Sequence, residues 1–263
     1  MGVNEVATST SWGTNGWLPS CGTNKSHGTH HAKSGAYIDL KAGAYTNYST
    51  TPLKQADGSV SRETHLGANG QFEVTFGKAN EDRSNFFECT LEGHGGTDLG
   101  GGFGIKNTKI FAQSPNERHE GGWNVELSTK HDEKLSNLIH KREDDYKGYN
   151  PHYSSTVTKF TMGPQYSYKD RLFIGINGGA QHTYTVDKQG ETRYTYNEFG
   201  ATGSVDMKYY IPVNAPRTGC AFAPYIGASA GVYAPGKVDE NSPIKISFGQ
   251  VQAQGEFKIG ASF

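Results

Sequence analysis

From residue 35 onward this chain alternates apolar and polar side chains over stretches of up to 20 residues, and that period of two excludes most folds at once. Successive side chains of a strand point to opposite faces, whereas a helix needs its apolar residues three or four apart. Segment 64–78 shows the pattern best: Leu66, Ala68, Gly70, Phe72, Val74 and Phe76 share one face, against His65, Asn69, Gln71, Glu73 and Thr75. Segment 171–186 sets Leu172, Ile174, Ile176, Ala180, Tyr184 and Val186 against Asn177, Gln181, Thr183 and Thr185. In 196–211, Phe199, Ala201, Val205, Met207, Tyr209 and Ile211 oppose Thr202, Ser204, Asp206 and Lys208. The last strand, 244–263, turns Phe257, Ile259, Ala261 and Phe263 away from Glu256, Lys258 and Ser262. Weaker alternation marks 35–48, 85–94, 102–113, 121–131, 154–168 and 219–234, for about ten strands, with 8 or 12 as the neighbouring even counts.

The links between these strands sort into two classes. Lys169-Asp170, IPVNAPRTG, SPNERHE and KANEDRS are short turns. The alternate links include longer ones at 49–63 and 132–153, with moderate ones at 95–101, 187–195 and 235–243. Short turns at one end and longer loops at the other are the habit of outer-membrane barrels, and an even strand number leaves both termini at the short-turn end. Residues 1–34 are polar and aperiodic, so the chain divides into an irregular N-terminal segment, 1–34, and a barrel, 35–263.

Mean hydropathy is -0.66, and no run approaches the roughly 20 apolar residues of a spanning helix. A spanning strand needs only about 9–11 residues with every second one apolar, so a barrel can be polar on average. The strands are long beside the usual 5–6 residues of globular sheets. Aromatics near segment ends (Tyr166, Tyr168, Tyr209, Phe86 and Phe263) stand where an interfacial girdle would lie. The polar faces carry both signs of charge: Glu73, Glu88, Glu92, Lys106, Glu126, Lys130, Lys159, Asp206, Lys208, Glu256 and Lys258. In hydrocarbon every backbone group must be paired, so a sheet there has to close on itself, enclosing those charges in a lumen. The expectation is an all-β, closed, antiparallel up-and-down transmembrane β-barrel. Phe72, Val74, Phe76, Leu172, Ile174, Ile176, Val205, Met207, Phe257 and Ile259 would then face lipid. The competing reading is a soluble secreted β-sandwich that binds a ligand, with those apolar residues in a central core.

The stretches SVDMKYYIPV and FAPYIGASAGVYAPG and the ending QGEFKIGASF resemble the last three strands of small bacterial outer-membrane barrels of the OmpA/OmpW-like type. The features that carry this are Pro224, Tyr225, Gly227 and Gly231, and the terminal Phe263 after Phe257, Ile259 and Ala261. The resemblance covers about the last 70 residues, and ten strands depart from that group's commoner eight. It implies an outer-membrane location, outer-membrane lipid as surroundings, and Phe263 as the signal through which the C-terminal strand meets the barrel-assembly machinery. MGVNEVATST has no apolar stretch, so the expectation is that a signal peptide has been removed.

With long Glu, Lys, Gln and Tyr side chains inward, a ten-stranded lumen is expected to be narrow or plugged. That favours a structural or surface role, with an envelope or surface protein as a possible partner, over a small porin-like channel. Loop 132–153 is the place to look for such recognition. The hydrolase reading rests on His131, Asp132, His182, Glu92 and His94 near loop ends, but adjacent His131 and Asp132 would point to opposite faces, and no catalytic residues are assigned. Cys21, His27, His30 and His31 fix no metal geometry, so neither metal nor cofactor is expected. Cys21 and Cys220 could pair in an oxidising compartment, and Cys89 reads as a small apolar residue beside Phe87 and Leu91. A net charge of -1 offers no basic face to nucleic acid.

Overall fold

In a computed structural model, residues 35–54, 60–80, 84–113, 119–136, 138–139, 153–168, 171–189, 192–211, 223–238, 246–248 and 251–262 are described. Eleven strands follow one another: β1 (Gly35–Lys54), β2 (Val60–Ala79), β3 (Asn85–Gly96), β4 (Asp98–Gln113), β5 (His119–Lys134), β6 (Tyr153–Tyr168), β7 (Leu172–Gln189), β8 (Thr192–Tyr210), β9 (Ala223–Val238), β10 (Ile246–Phe248) and β11 (Gln252–Ser262). From β1 to β10 each pairs antiparallel with the next, and β11, which also pairs with β9, returns to β1, so one sheet closes on itself. Short β10 and β11 lie end to end along β9 and together form one stave. The wall therefore has ten staves. Where the sequence predicts one strand over 244–263, the described residues form two ladders, Ile246–Phe248 and Gln252–Ser262, on the same partner.

The period of two seen in the sequence becomes an inside and an outside. Among the described residues, twenty-five large apolar side chains are exposed, while nine apolar and nineteen polar or charged side chains are buried. Phe72, Ile176, Val205, Phe257 and Ile259 are half exposed on the outer surface, at 50% to 55%. No central apolar core unites them, and the sandwich reading falls. Phe86 departs from expectation: it points inward, 1% exposed, and packs on Ala79 and Ile110, while Phe87 takes the outer face. Cys89 lies between exposed Phe87 and Leu91 on the outer side. Residues 1–34, Cys220 and Phe263 lie outside the described residues.

Two of the expected links, 49–63 and 187–195, are largely strand. β1 and β2 run 20 residues each and pair as far as Lys54 and Val60, and β7 and β8 pair as far as Gln189 and Thr192. Strict alternation of apolar and polar residues fades in the sequence there (STTPLK, VSRETH), although the ladder continues. By contrast, β3 and β4 meet in a tight hairpin at Gly96-Thr97. Gly96 has φ of +156°, and a Cβ there would collide with the Ala68 carbonyl, so the turn needs glycine. Leu135 and Ser136 donate their amides to the Thr97 carbonyl, and Leu138 donates to Leu66, so the chain leaving β5 folds over this short hairpin.

Candidate functional site

The interior divides into two layers. At the end holding Gly35 and Ser262, which we call the floor, inward side chains are packed almost to exclusion of solvent. Asp39 and Thr108 are wholly buried, and Phe86, Ser167, Phe173, Tyr210 and Tyr225 nearly so. Lys41 lies 3.2 Å from Asp39 and bonds Glu73. Phe173 meets Tyr210 edge-on at 5.9 Å, and Tyr210 meets Tyr225 at 5.6 Å. The Lys208 ammonium sits 4.5 Å above the Tyr225 ring.

Above the floor lies a cavity of about 580 Å³. Ten of the charged residues assigned to a lumen from the sequence line it: Glu73, Glu88, Glu92, Lys106, Glu126, Lys130, Lys159, Asp206, Lys208 and Glu256. Lys258 points inward beside them, 2.8 Å from Glu256. Among the described residues, six lysines and nine carboxylates line this cavity. Asp206 accepts from Asn177 at 2.9 Å and from Ser204 at 3.0 Å. Unpaired buried charge is costly, so this pairing is a condition of the fold.

Three lysines cross the cavity from β5 and β6 to the opposite wall. Lys134 Nζ reaches Ser49 Oγ at 3.3 Å, Lys130 Nζ reaches Tyr45 Oη at 3.4 Å, and Lys159 Nζ reaches Gln254 Oε1 at 3.5 Å. These bars are long hydrogen bonds to neutral acceptors, each weaker than the ion pairs of the floor.

Glycines let side chains meet across an intervening strand. In register, His94 of β3, Gly100 of β4 and Asp132 of β5 form one row; Glu92, Gly102 and Lys130 form the next. His94 Nε2 lies 2.7 Å from Asp132 Oδ1, and Lys130 lies 3.7 Å from Glu92, both over a strand with no side chain. A Cβ on Gly100 would come within 3.0 Å of His94 Nε2 and collide with the His131 carbonyl; one on Gly102 would come within 2.9 Å of Glu92 Oε1. Nearer the loops, Asp98 gathers His65 Nε2 at 2.9 Å and the amides of Asn47 and Asn69, each at 3.1 Å.

His131 faces outward, bonded to Thr156 at 2.9 Å, while Asp132 faces in. The candidate hydrolytic residues are thus divided between the two surfaces of the wall. His182 is exposed outside. No group of three or more metal-ligating side chains occurs among the described residues. Sequence reading missed the floor aromatics and the two histidine–aspartate pairs, although GHGG and LGGGFG, spaced for adjacent strands, hinted at the latter.

No family model and no curated protein matches the chain. Among solved structures it is similar to the outer membrane protease OmpT of Escherichia coli, at 10% identity and TM-score 0.41 over 88% of this chain and 96% of that one. It is also similar to the attachment invasion locus protein Ail of Yersinia pestis, seen with the heparin analogue sucrose octasulfate, at 12% identity and TM-score 0.30 over 88% and 99%. A third is the translocator domain of the autotransporter NalP of Neisseria meningitidis, at 10% identity and TM-score 0.26 over 89% and 90%. The chain's own geometry is the stronger ground. A closed antiparallel ring of ten staves, apolar outside and charged within, is the architecture of small outer-membrane β-barrels.

Proposed function

We propose that this chain resides in the bacterial outer membrane as a barrel with a sealed lumen, and that its work is structural or done at its outer surface. The membrane reading draws on the inverted surface. Each large apolar side chain left in water forgoes about 1.5–3 kcal/mol of burial, and two dozen of them in water would far exceed what a folded domain can spare. Acyl chains remove that penalty. Lipid is therefore the obligatory surrounding partner, and insertion through the assembly machinery goes with it.

The observation that carries the sealed lumen is the floor: Asp39, Phe86, Phe173, Tyr210 and Tyr225 leave no described path to that end. A sealed lumen supports a surface or complex-forming role over solute passage. Hydrolysis finds less support, because His94 and His65 are held by carboxylates inside the wall and His131 stands outside it.

Two measurements test this. The folded protein should need detergent and should migrate faster unboiled than boiled; free solubility in buffer would end the membrane reading. In planar bilayers the purified protein should show no steady conductance above the bare membrane, and stable open steps would refute the seal.

A further inference from the structure

The cavity above the floor carries more negative charge than its own lysines balance. Nine carboxylates and six lysines line it, an excess of three, or of two once inward Lys258 is counted. Register sets Glu126 beside Lys106, yet neither makes a hydrogen bond or ion pair with another described residue. Asp206 is bonded only by the neutral Asn177 and Ser204 among the described residues. The charges of Glu126 and Asp206 repel one another across the cavity. Gln181 and Gln252, 3% and 4% exposed, line the same space, and each keeps one amide atom without a hydrogen-bond partner among the described residues. Water satisfies such an amide but leaves the charge excess standing.

The sign of the excess calls for a cation, and its distribution limits which one. No group of three or more metal-ligating side chains converges among the described residues, so a metal ion finds no cage of oxygens. The carboxylates are spread along the depth of the cavity instead. Asp98 and Asp132 stand near the loops. Glu126 pairs in register with Lys106 and through it with Glu88, toward the floor, and Asp206 is one inward position above Lys208. Lys130 shows how an ammonium is received here, 3.7 Å from Glu92, 3.9 Å from Asp132 and 5.0 Å from the centre of the Tyr45 ring. The lysine bars at the mouth end on neutral acceptors, so they yield to a guest that brings ammonium groups of its own. We propose that the lumen is a dead-end pocket that takes a linear polyamine from the loop side, with one ammonium at Glu126 and Asp206 and the rest of the chain rising past Gln181. This goes beyond the surface role above and uses the floor only as the bottom of the pocket, which the conductance measurement decides separately.

The test uses the full chain, folded in neutral detergent at low salt and titrated calorimetrically with spermidine. The wild type should bind one spermidine saturably. E126Q keeps the shape of the side chain and removes one charge; E126Q/D206N removes both. With unboiled mobility retained, the double variant should bind about tenfold more weakly, the worth of one charge-assisted hydrogen bond, and E126Q alone should fall between it and the wild type. K134A/K159A, which takes away two competing ammonium groups, should bind more tightly. Absence of saturable binding, or wild-type affinity in E126Q, overturns the proposal. Unchanged or weaker binding by K134A/K159A would place the probe outside the lumen and overturn it too. So would displacement of spermidine by an equal concentration of magnesium, which would assign the excess to diffuse charge instead of an extended pocket.

Discussion

The floor and the mouth of the lumen are built from the same residue types, yet they differ in kind. At the floor Lys41 lies between two carboxylates, and Phe173, Tyr210 and Tyr225 stack against one another with almost no exposure. At the mouth Lys134 and Lys159 reach across the cavity to a serine and a glutamine, Lys134 lying 5.6 Å over the Tyr153 ring. A charge enclosed by counter-charges and aromatic rings is fixed, because leaving it alone costs several kcal/mol. An ammonium bonded to a neutral oxygen at 3.3 Å or more has water as a nearly equal alternative. Sealing therefore belongs to the floor, and the bars only fill space.

The sharpest way to break that contrast is Lys41→Met. It removes the ammonium that Asp39 and Glu73 share, a loss of about 3–5 kcal/mol by analogy with other broken buried pairs. Urea unfolding in lipid should show a large drop in midpoint, or failure to fold. A change below about 1 kcal/mol would mean the floor is wetter than its packing implies.

A second comparison lies within one strand. A Cβ on Gly102 would press on Glu92 Oε1 and on the Thr129 carbonyl at 3.0 Å, whereas one on Gly104 meets only ordinary contacts, the nearest at 3.7 Å. Gly102→Ala should cost about 1–3 kcal/mol as overpacking. Gly104→Ala should be neutral or slightly stabilising, through its effect on the unfolded chain. Equal effects of the two would show that the Glu92–Lys130 crossing over Gly102 does not matter.

These glycines also show where sequence reading reaches its limit. The alternation of Phe72, Val74 and Phe76 with Gln71, Glu73 and Thr75 made the wall legible, because apolar outside and polar inside differ at every step. The floor was not legible. Its aromatics sit beside outward aromatics, as Phe86 beside Phe87 and Tyr210 beside Tyr209, so neither hydropathy nor period tells which of the two turns in. Gly100–Gly102 look like a loop when read locally. The approach of His94 to Asp132 and of Lys130 to Glu92 across β4 explains Gly100 and Gly102, two of the three glycines in a row. The ends of β1, β2, β7 and β8 were hidden for a third reason: their sequences, such as STTPLK and DKQ, do not alternate, and only the ladder shows that the strands continue.

The smallest expected effect is the most telling about sealing. Lys134→Ala with Lys159→Ala removes two bars and leaves Lys41, Phe173, Tyr210 and Tyr225 untouched. Each lost bond to a neutral acceptor is worth about 0.5–1.5 kcal/mol at most, and less where water replaces it. The double variant should fold, keep its stability within about 1–2 kcal/mol, and remain silent in planar bilayers, since the floor still closes the far end. Adding Tyr210→Ala and Tyr225→Ala to the same background should then produce conductance, preferring cations because nine carboxylates outnumber six lysines along the cavity. Conduction from the double variant alone would move the seal from the floor to the mouth, and with it the distinction between the two layers.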